Sequence, residues 1–291
     1  MISASLLLAA LAPAARSAAE LRDPYTGERA YQIAGEFFSL TVPEADLEFA
    51  RKVLSWLEDA RESLQKEFAL PLKPAFQVRV TRLIPEEPPA VVGLYRPAEG
   101  AILVLSPRAW AFPLKQTRLK STLGHEFVHA AVHQVLGDYY AFLPVWLNEG
   151  MAEHLGAYRR GTPWDVREHP AFLSAIHLRR LPSLEKLEED FQERARAAVA
   201  YPAAKTLVEY ILSRWGKDSA GKIITALRAE RPGKDALERV FKSLYALSLE
   251  ELEKDWQAAI LKNYGSLAKA NAHLQAAREH YQEGRWAEAA R

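Results

Sequence analysis

The chain contains no cysteine. That excludes disulfides, iron–sulfur clusters, thiol nucleophiles and zinc sites built on thiolates. Any metal must therefore be held by histidine and carboxylate, a donor set that suits a catalytic ion better than a structural one. Charge of one sign is lacking too: 38 Lys and Arg stand against 37 Asp and Glu, a formal net charge of +1 over 291 residues. A nucleic-acid partner demands a concentrated basic patch, so none is expected. Long hydrophobic runs are also missing. The apolar stretch from Leu6 to Ala15 falls short of the about 20 residues that cross a bilayer, and no later stretch is apolar enough for a span. Leu6 to Ala15 has the length of a secretory h-region, and Ser17-Ala18-Ala19 offers small residues for cleavage before Glu20. Residues 1–19 therefore read as a signal peptide, although Met1 to Ser5 carries no Lys or Arg. The expected product is exported, with no membrane span in its mature chain.

What is present is an ordinary globular balance, 49% apolar and 26% charged, with length for one large domain or a domain plus an appendage. Leu21 to Gly35 is mixed and expected to be poorly ordered. Phe37 to Val42 looks like a strand closing at Pro43. Leu47, Ala50, Leu54, Leu57, Leu64 and Phe68 recur at helical steps, with Glu48–Lys52 and Glu62–Lys66 on the wet side. That face is core. Phe76 to Thr81 alternates as a half-buried strand; Val91 to Tyr95 and Ala101 to Leu105 follow as further strands around the Pro97–Gly100 turn. A helix is expected from near Lys115 to Leu136, stopping at Gly137, and a second from Val145 to Ala157. Arg159 to Leu181 reads as irregular, and Ser183 followed by Glu185 as a helix start. From Arg194 the pattern is helical, with breaks at Gly216, Pro232-Gly233 and Gly265. The fold class is thus α+β: a small N-terminal sheet on a metal-binding helix, then a mostly α-helical half.

The chemistry centres on His125-Glu126-Phe127-Val128-His129. On a helix the two histidines share a face one turn apart, so two neutral imidazoles can hold one zinc ion with a glutamate between them to work on its water. A third ligand must leave the fourth position open. Glu149 is the main candidate, with Glu153 one turn later as the alternative or as a hydrogen-bonding partner of a ligand imidazole. Metzincin spacing is excluded, because Val132 and Val135 stand where that class needs glycine and histidine. His133 drifts off the metal face, and His154 points elsewhere on its helix. The bland alternative is a buried His/Glu cluster without metal.

Together with Trp146-Leu147-Asn148-Glu149-Gly150-Met151-Ala152-Glu153, this motif resembles the gluzincins, the zinc peptidases that include thermolysin and the aminopeptidase-N group. It is similar, more closely, to exported bacterial peptidase MA-like domains. The likeness runs loosely from Phe37 to Lys262 and is specific only in the two motifs. It implies His125, His129 and Glu149 as ligands of one zinc ion, Glu126 as general base, and peptide or protein substrates. It also implies a substrate-binding edge strand, matched by Ala101 to Leu105 after Gly93-Leu94-Tyr95. Gluzincins commonly supply an oxyanion donor from the helical half; Tyr201, read as lying just before a long helix, occupies such a place, with Tyr139, Tyr140 and Tyr158 as weaker candidates.

The domain reading is a signal peptide at 1–19, a metallopeptidase domain at 20–265, and at 266–291 the start of a tetratricopeptide-like repeat. Ala277, Tyr281, Gly284, Trp286 and Ala289 carry that last pattern, which offers a protein partner a surface. The rival to a peptidase is an exported interaction scaffold whose zinc site is structural or inert. A zinc amidase acting on non-peptide amides is a third reading.

Overall fold

The computed structural model describes residues 21–88, 90–111, 115–159, 165–191, 193–233, 235–283 and 285. The expected signal peptide lies outside them. The chain divides into two compact units, 1–61 with 73–130 and 62–72 with 131–291.

The first unit is built on a five-stranded mixed sheet of order β1-β2-β3-β5-β4. Its strands are β1 (Ala30–Ala34), β2 (Phe38–Pro43), β3 (Phe76–Thr81), β4 (Gly93–Arg96) and β5 (Ala101–Leu105). Helix α1 (Leu47–Phe68) connects β2 to β3, and these strands run parallel with Phe38 opposite Phe76. β3 and β5 are also parallel, whereas β4 folds back antiparallel on β5 with Gly93 opposite Val104. The reversal is made at Gly100, whose φ of +59° suits glycine. All five β5 residues are buried, as its uninterrupted apolar sequence requires of an interior strand.

The expectation of poor order over 21–35 is corrected by β1. Arg22 bridges to Arg29, the Asp23 carboxylate accepts the Tyr25 N–H at 2.8 Å, and Gly27 turns the chain at φ +70°. The strand that follows is an edge, with Ala30 alone fully buried. An edge strand needs little apolar pattern, which is why no local periodicity announces it.

The second unit is helical. After α2 (Gln116–Leu136) come α3 (Val145–Arg159), α4 (Pro170–His177), α5 (Leu184–Asp190), α6 (Arg194–Trp215), α7 (Ser219–Ala229), α8 (Ala236–Tyr245) and α9 (Leu249–Gln282). α4 corrects the irregular stretch expected at 159–181: Pro170 stands in the first turn, where its missing N–H costs nothing, and Phe172, Leu173 and Ile176 are buried. Ser183 caps α5 as expected, accepting the Lys186 N–H at 3.2 Å. α9 opens on a Ser248/Glu251 capping box and runs straight through Gly265, where a break was expected. An interior glycine costs only about 1 kcal/mol, and buried Trp256, Ile260 and Ala268 anchor the turns on either side. Residues 266–282 thus continue α9, while Gly284, Trp286 and Ala289 of the repeat-like pattern lie outside the described residues.

Candidate metal centre

From Leu119 onward, α2 has almost no wet face. Leu119, Leu123, Phe127, Val128, Ala130, Ala131, Val132, Val135 and Leu136 are all buried. The Phe127 ring lies 5.3 Å from Phe38 and 5.0 Å from Phe76, edge to face, which fixes the helix's rotation on the sheet. At 100° per residue, residues 125 and 129 then fall on the other side of the helix. Their rings are 4.8 Å apart and nearly perpendicular. His129 is only 7% exposed. A polar ring taken that far from water requires partners.

Glu126, between them, is oriented by the backbone. Its Oε2 accepts the Tyr95 N–H of β4 at 2.8 Å. β4 approaches α2 at a glycine: a Cβ at residue 93 would lie 3.1 Å from Thr122 Cγ2, a tight contact. β4 is also the sheet edge, so the assignment of the edge to Ala101–Leu105 is corrected. β5 is paired on both sides, by β3 and β4. The turn at 97–100 carries the shorter strand to the outside, a topology that two adjacent apolar runs do not reveal.

Glu149 stands in the second turn of α3. The start of that helix is held by Glu188 of α5, whose carboxylate accepts the Val145 N–H at 2.9 Å and the Trp146 N–H at 3.4 Å. Burial pushes the Glu188 pKa up, against the pull of those two amides. Sequence reasoning missed this capping residue, and no local signal points to it, since it lies more than forty positions downstream. One ligand atom from each of His125, His129 and Glu149 lies within 4.8 Å of the others. A tetrahedral ion at about 2 Å from each donor asks for donors about 3.3 Å apart, a spacing that falls inside that limit. Two imidazoles and a carboxylate are also the donor chemistry zinc takes in open catalytic sites. The residues fit the ion.

The other singled-out residues lie as follows. The His133 ring packs on Tyr140 at 4.6 Å, and burial lowers its pKa despite the Asp138 charge. Tyr140 accepts a hydrogen bond from Asn148 Nδ2 at 3.0 Å, which occupies it locally. Tyr139 is half-buried in the 3-10 turn at 137–142, and the side chain of Tyr158 lies outside the description. Glu153 is half-buried one turn beyond Glu149. His154 sits between Glu67 at 3.9 Å and Glu209 at 3.4 Å. Tyr201 is not ahead of a helix but inside α6, with its ring edge-on to Phe191 at 5.0 Å. The alanine-rich 194–200 segment starts the helix early enough to carry Pro202 within it.

A fold of this class, with a two-histidine helix followed by a glutamate helix, is matched by a family model. The model of the Peptidase MA superfamily covers residues 115–262, just over half of the sequence. The chain belongs to the Peptidase MA superfamily. A curated relative is the uncharacterized protein YhcO of Bacillus subtilis (strain 168), 29% identical over 149 residues, which are 49% of this chain and 42% of that protein. Among solved structures, an M1 zinc metallopeptidase from Deinococcus radiodurans is 18% identical with a TM-score of 0.43, covering 79% of this chain and 52% of that one. A variant of that enzyme bound to a Tyr-Ser-Ala substrate gives 17% identity, the same TM-score and the same coverage. The chain spans about half the length of the relatives it matches.

Proposed function

We propose that this chain is an exported zinc-dependent peptidase of the gluzincin kind. His125, His129 and Glu149 hold one zinc ion, Glu126 is the general base, and Glu153 hydrogen-bonds a ligand imidazole. The observation that carries the reading is the convergence of those three donors within 4.8 Å, with the Glu126 carboxylate set between the histidines on the same helix. Membership of the superfamily supports it. A zinc ion bound there supplies a Lewis acid for the scissile carbonyl and lowers the pKa of water toward neutrality.

The chain's own residues do the rest. Glu126 takes a proton from the attacking water and returns it to the leaving amine. The Tyr95 amide holds one oxygen of that carboxylate, which leaves the second to face the reacting groups. Edge strand β4, paired within the sheet on one side only, is the place for an extended peptide to add main-chain hydrogen bonds. Tyr201 is the candidate donor to the tetrahedral oxyanion. Export follows from the leader at 1–19, with the metallopeptidase domain from 20 to 265.

The test is turnover of a peptide library by the mature chain. Hydrolysis should vanish with a chelator, return with zinc, and be absent from a Glu126→Gln variant that still binds the metal. Full activity in that variant would sink the mechanism. Mass spectrometry of material secreted by an expressing cell should find a chain beginning at Glu20.

A further inference from the structure

Helix α3 begins after a residue that cannot cap it. Residue 144 is proline, which offers neither an N–H nor a side-chain oxygen. Its carbonyl accepts the Leu147 N–H at 3.1 Å and the Asn148 N–H at 3.2 Å. The amides of Val145 and Trp146 remain, and both go to the Glu188 carboxylate of α5, at 2.9 and 3.4 Å. Water is a poor substitute for it here, because Trp146 is 2% exposed and Leu147 is fully buried. Buried amides left without an acceptor are costly.

Glu188 is itself on a helix fixed at its start. Ser183 accepts the Lys186 N–H at 3.2 Å, and Glu253 of α9 accepts the Leu184 N–H at 2.9 Å. A carboxylate at the start of α3 also complements the partial positive charge of a helix N-terminus. The consequence reaches Glu149. In an α-helix the N–H of residue 149 bonds to the carbonyl of residue 145, and the side chain leans back over the turn before it. That turn is the one whose amides Glu188 holds. The next residue is seated by packing instead: a Cβ on Gly150 would lie 2.5 Å from the Ala204 carbonyl oxygen and 2.7 Å from Val208 Cγ2, so α6 makes its close crossing of α3 over a glycine.

We propose that Glu188 is a positioning residue of the metal centre, holding the first turn of α3 so that the Glu149 carboxylate keeps its place in the three-donor group. The proposal rests on the zinc-peptidase reading. Without the two bonds to Glu188 the turn frays, Glu149 loses its fixed direction, and the ion is held less tightly.

The experiment is a competition titration of zinc against a chromophoric chelator on the full chain, with melting curves to show that each variant is folded. Glu188→Leu removes both acceptor oxygens and should bind zinc about tenfold more weakly, the low end for loss of an outer partner. Glu188→Gln keeps one acceptor oxygen and should fall between, at about threefold. Glu238→Leu is the control for stability alone. Glu238 of α8 accepts the Leu249 N–H at 2.8 Å, the same kind of bond at the start of α9, which carries no proposed ligand. That variant should melt at a lower temperature yet stay within about twofold of the parent's zinc affinity. Parent-like affinity in folded Glu188→Leu overturns the proposal, as does an equal loss in Glu238→Leu. If Glu188→Leu does not fold, Glu188→Gln decides, and parent-like affinity there is the contradicting result. A parent chain that binds no zinc defeats the peptidase reading; a parent that binds zinc beside unaffected Glu188 variants defeats this inference alone.

Discussion

Helices α1 and α2 are nearly equal in length, 22 and 21 residues, and opposite in design. In α1, Ala50, Val53, Leu57, Ala60, Leu64 and Phe68 are fully buried at steps of three and four, and the charged side chains other than Glu67 are exposed or half-buried. Its Glu48–Lys52 pair, at 3.4 Å, is exposed at both ends. In α2 apolar residues are buried around most of the circumference, and among them His129 is buried and His125 and Glu126 are half-buried. A helix that gives its polar residues to solvent has explained them. One that takes imidazoles and a carboxylate into its packed region has not, and their chemistry must supply the reason. Amphipathic regularity marks scaffold; its failure marks the site.

The largest effect should come from α2. Glu126→Gln is expected to lower kcat by about 10²–10⁴ with zinc content unchanged, read by steady-state kinetics beside metal analysis; Glu58→Gln on α1 should leave both unchanged. In α1 the expected damage is to stability. Leu57→Ala should cost about 2–5 kcal/mol in denaturant unfolding, with zinc stoichiometry intact below the transition. Gly150→Ala tests a packing position next to a proposed ligand. The backbone must shift, at about 1–3 kcal/mol, and zinc affinity should fall along with stability; a variant as tight for zinc as the parent would separate the crossing from the site.

A smaller effect is expected in α8, which like α1 carries no site chemistry. Tyr245 stacks on Trp215 at 4.3 Å and donates to the Ser219 carbonyl at 3.3 Å. Burial, and then the Asp218 charge, push its phenol up to about 12 from 10.0. The folded state holds that proton where the unfolded chain releases it. Its contribution is therefore full below pH 10 and is lost as pH rises toward 12. Chemical denaturation across that window should show the fall, and Tyr245→Phe should reduce it. The smallest effect belongs to Lys52→Ala, which should change stability by less than about 0.5 kcal/mol.

How far the sequence could be read follows the same division. β3, β5 and α1 fall within a residue of where their periodicity puts them, because each obeys one period and buries one kind of face. His125, Glu126, His129 and Glu149 were visible because their spacing is local to single helices, and the fold brings the three donors together. What stayed hidden depends on contacts remote in sequence. Glu188 caps α3 from 43 positions away, the Tyr95 amide reaches Glu126 across 31, and β4 rather than β5 forms the edge. Tyr201 is read from sequence as lying just before a long helix, whereas α6 begins at Arg194 and carries both Tyr201 and Pro202 inside. The physical role of Gly150 lies in its approach to the Ala204 carbonyl, which no local pattern announces.

The central claim is that the two α2 histidines, with Glu149, hold one zinc ion. X-ray absorption at the zinc edge of the loaded chain tests it most directly. The expected spectrum has two imidazoles within a four-coordinate nitrogen and oxygen shell at about 2.0–2.1 Å, and His129→Ala should remove one imidazole from it. A zinc ion surrounded by oxygen alone, without an imidazole signature, would contradict the account.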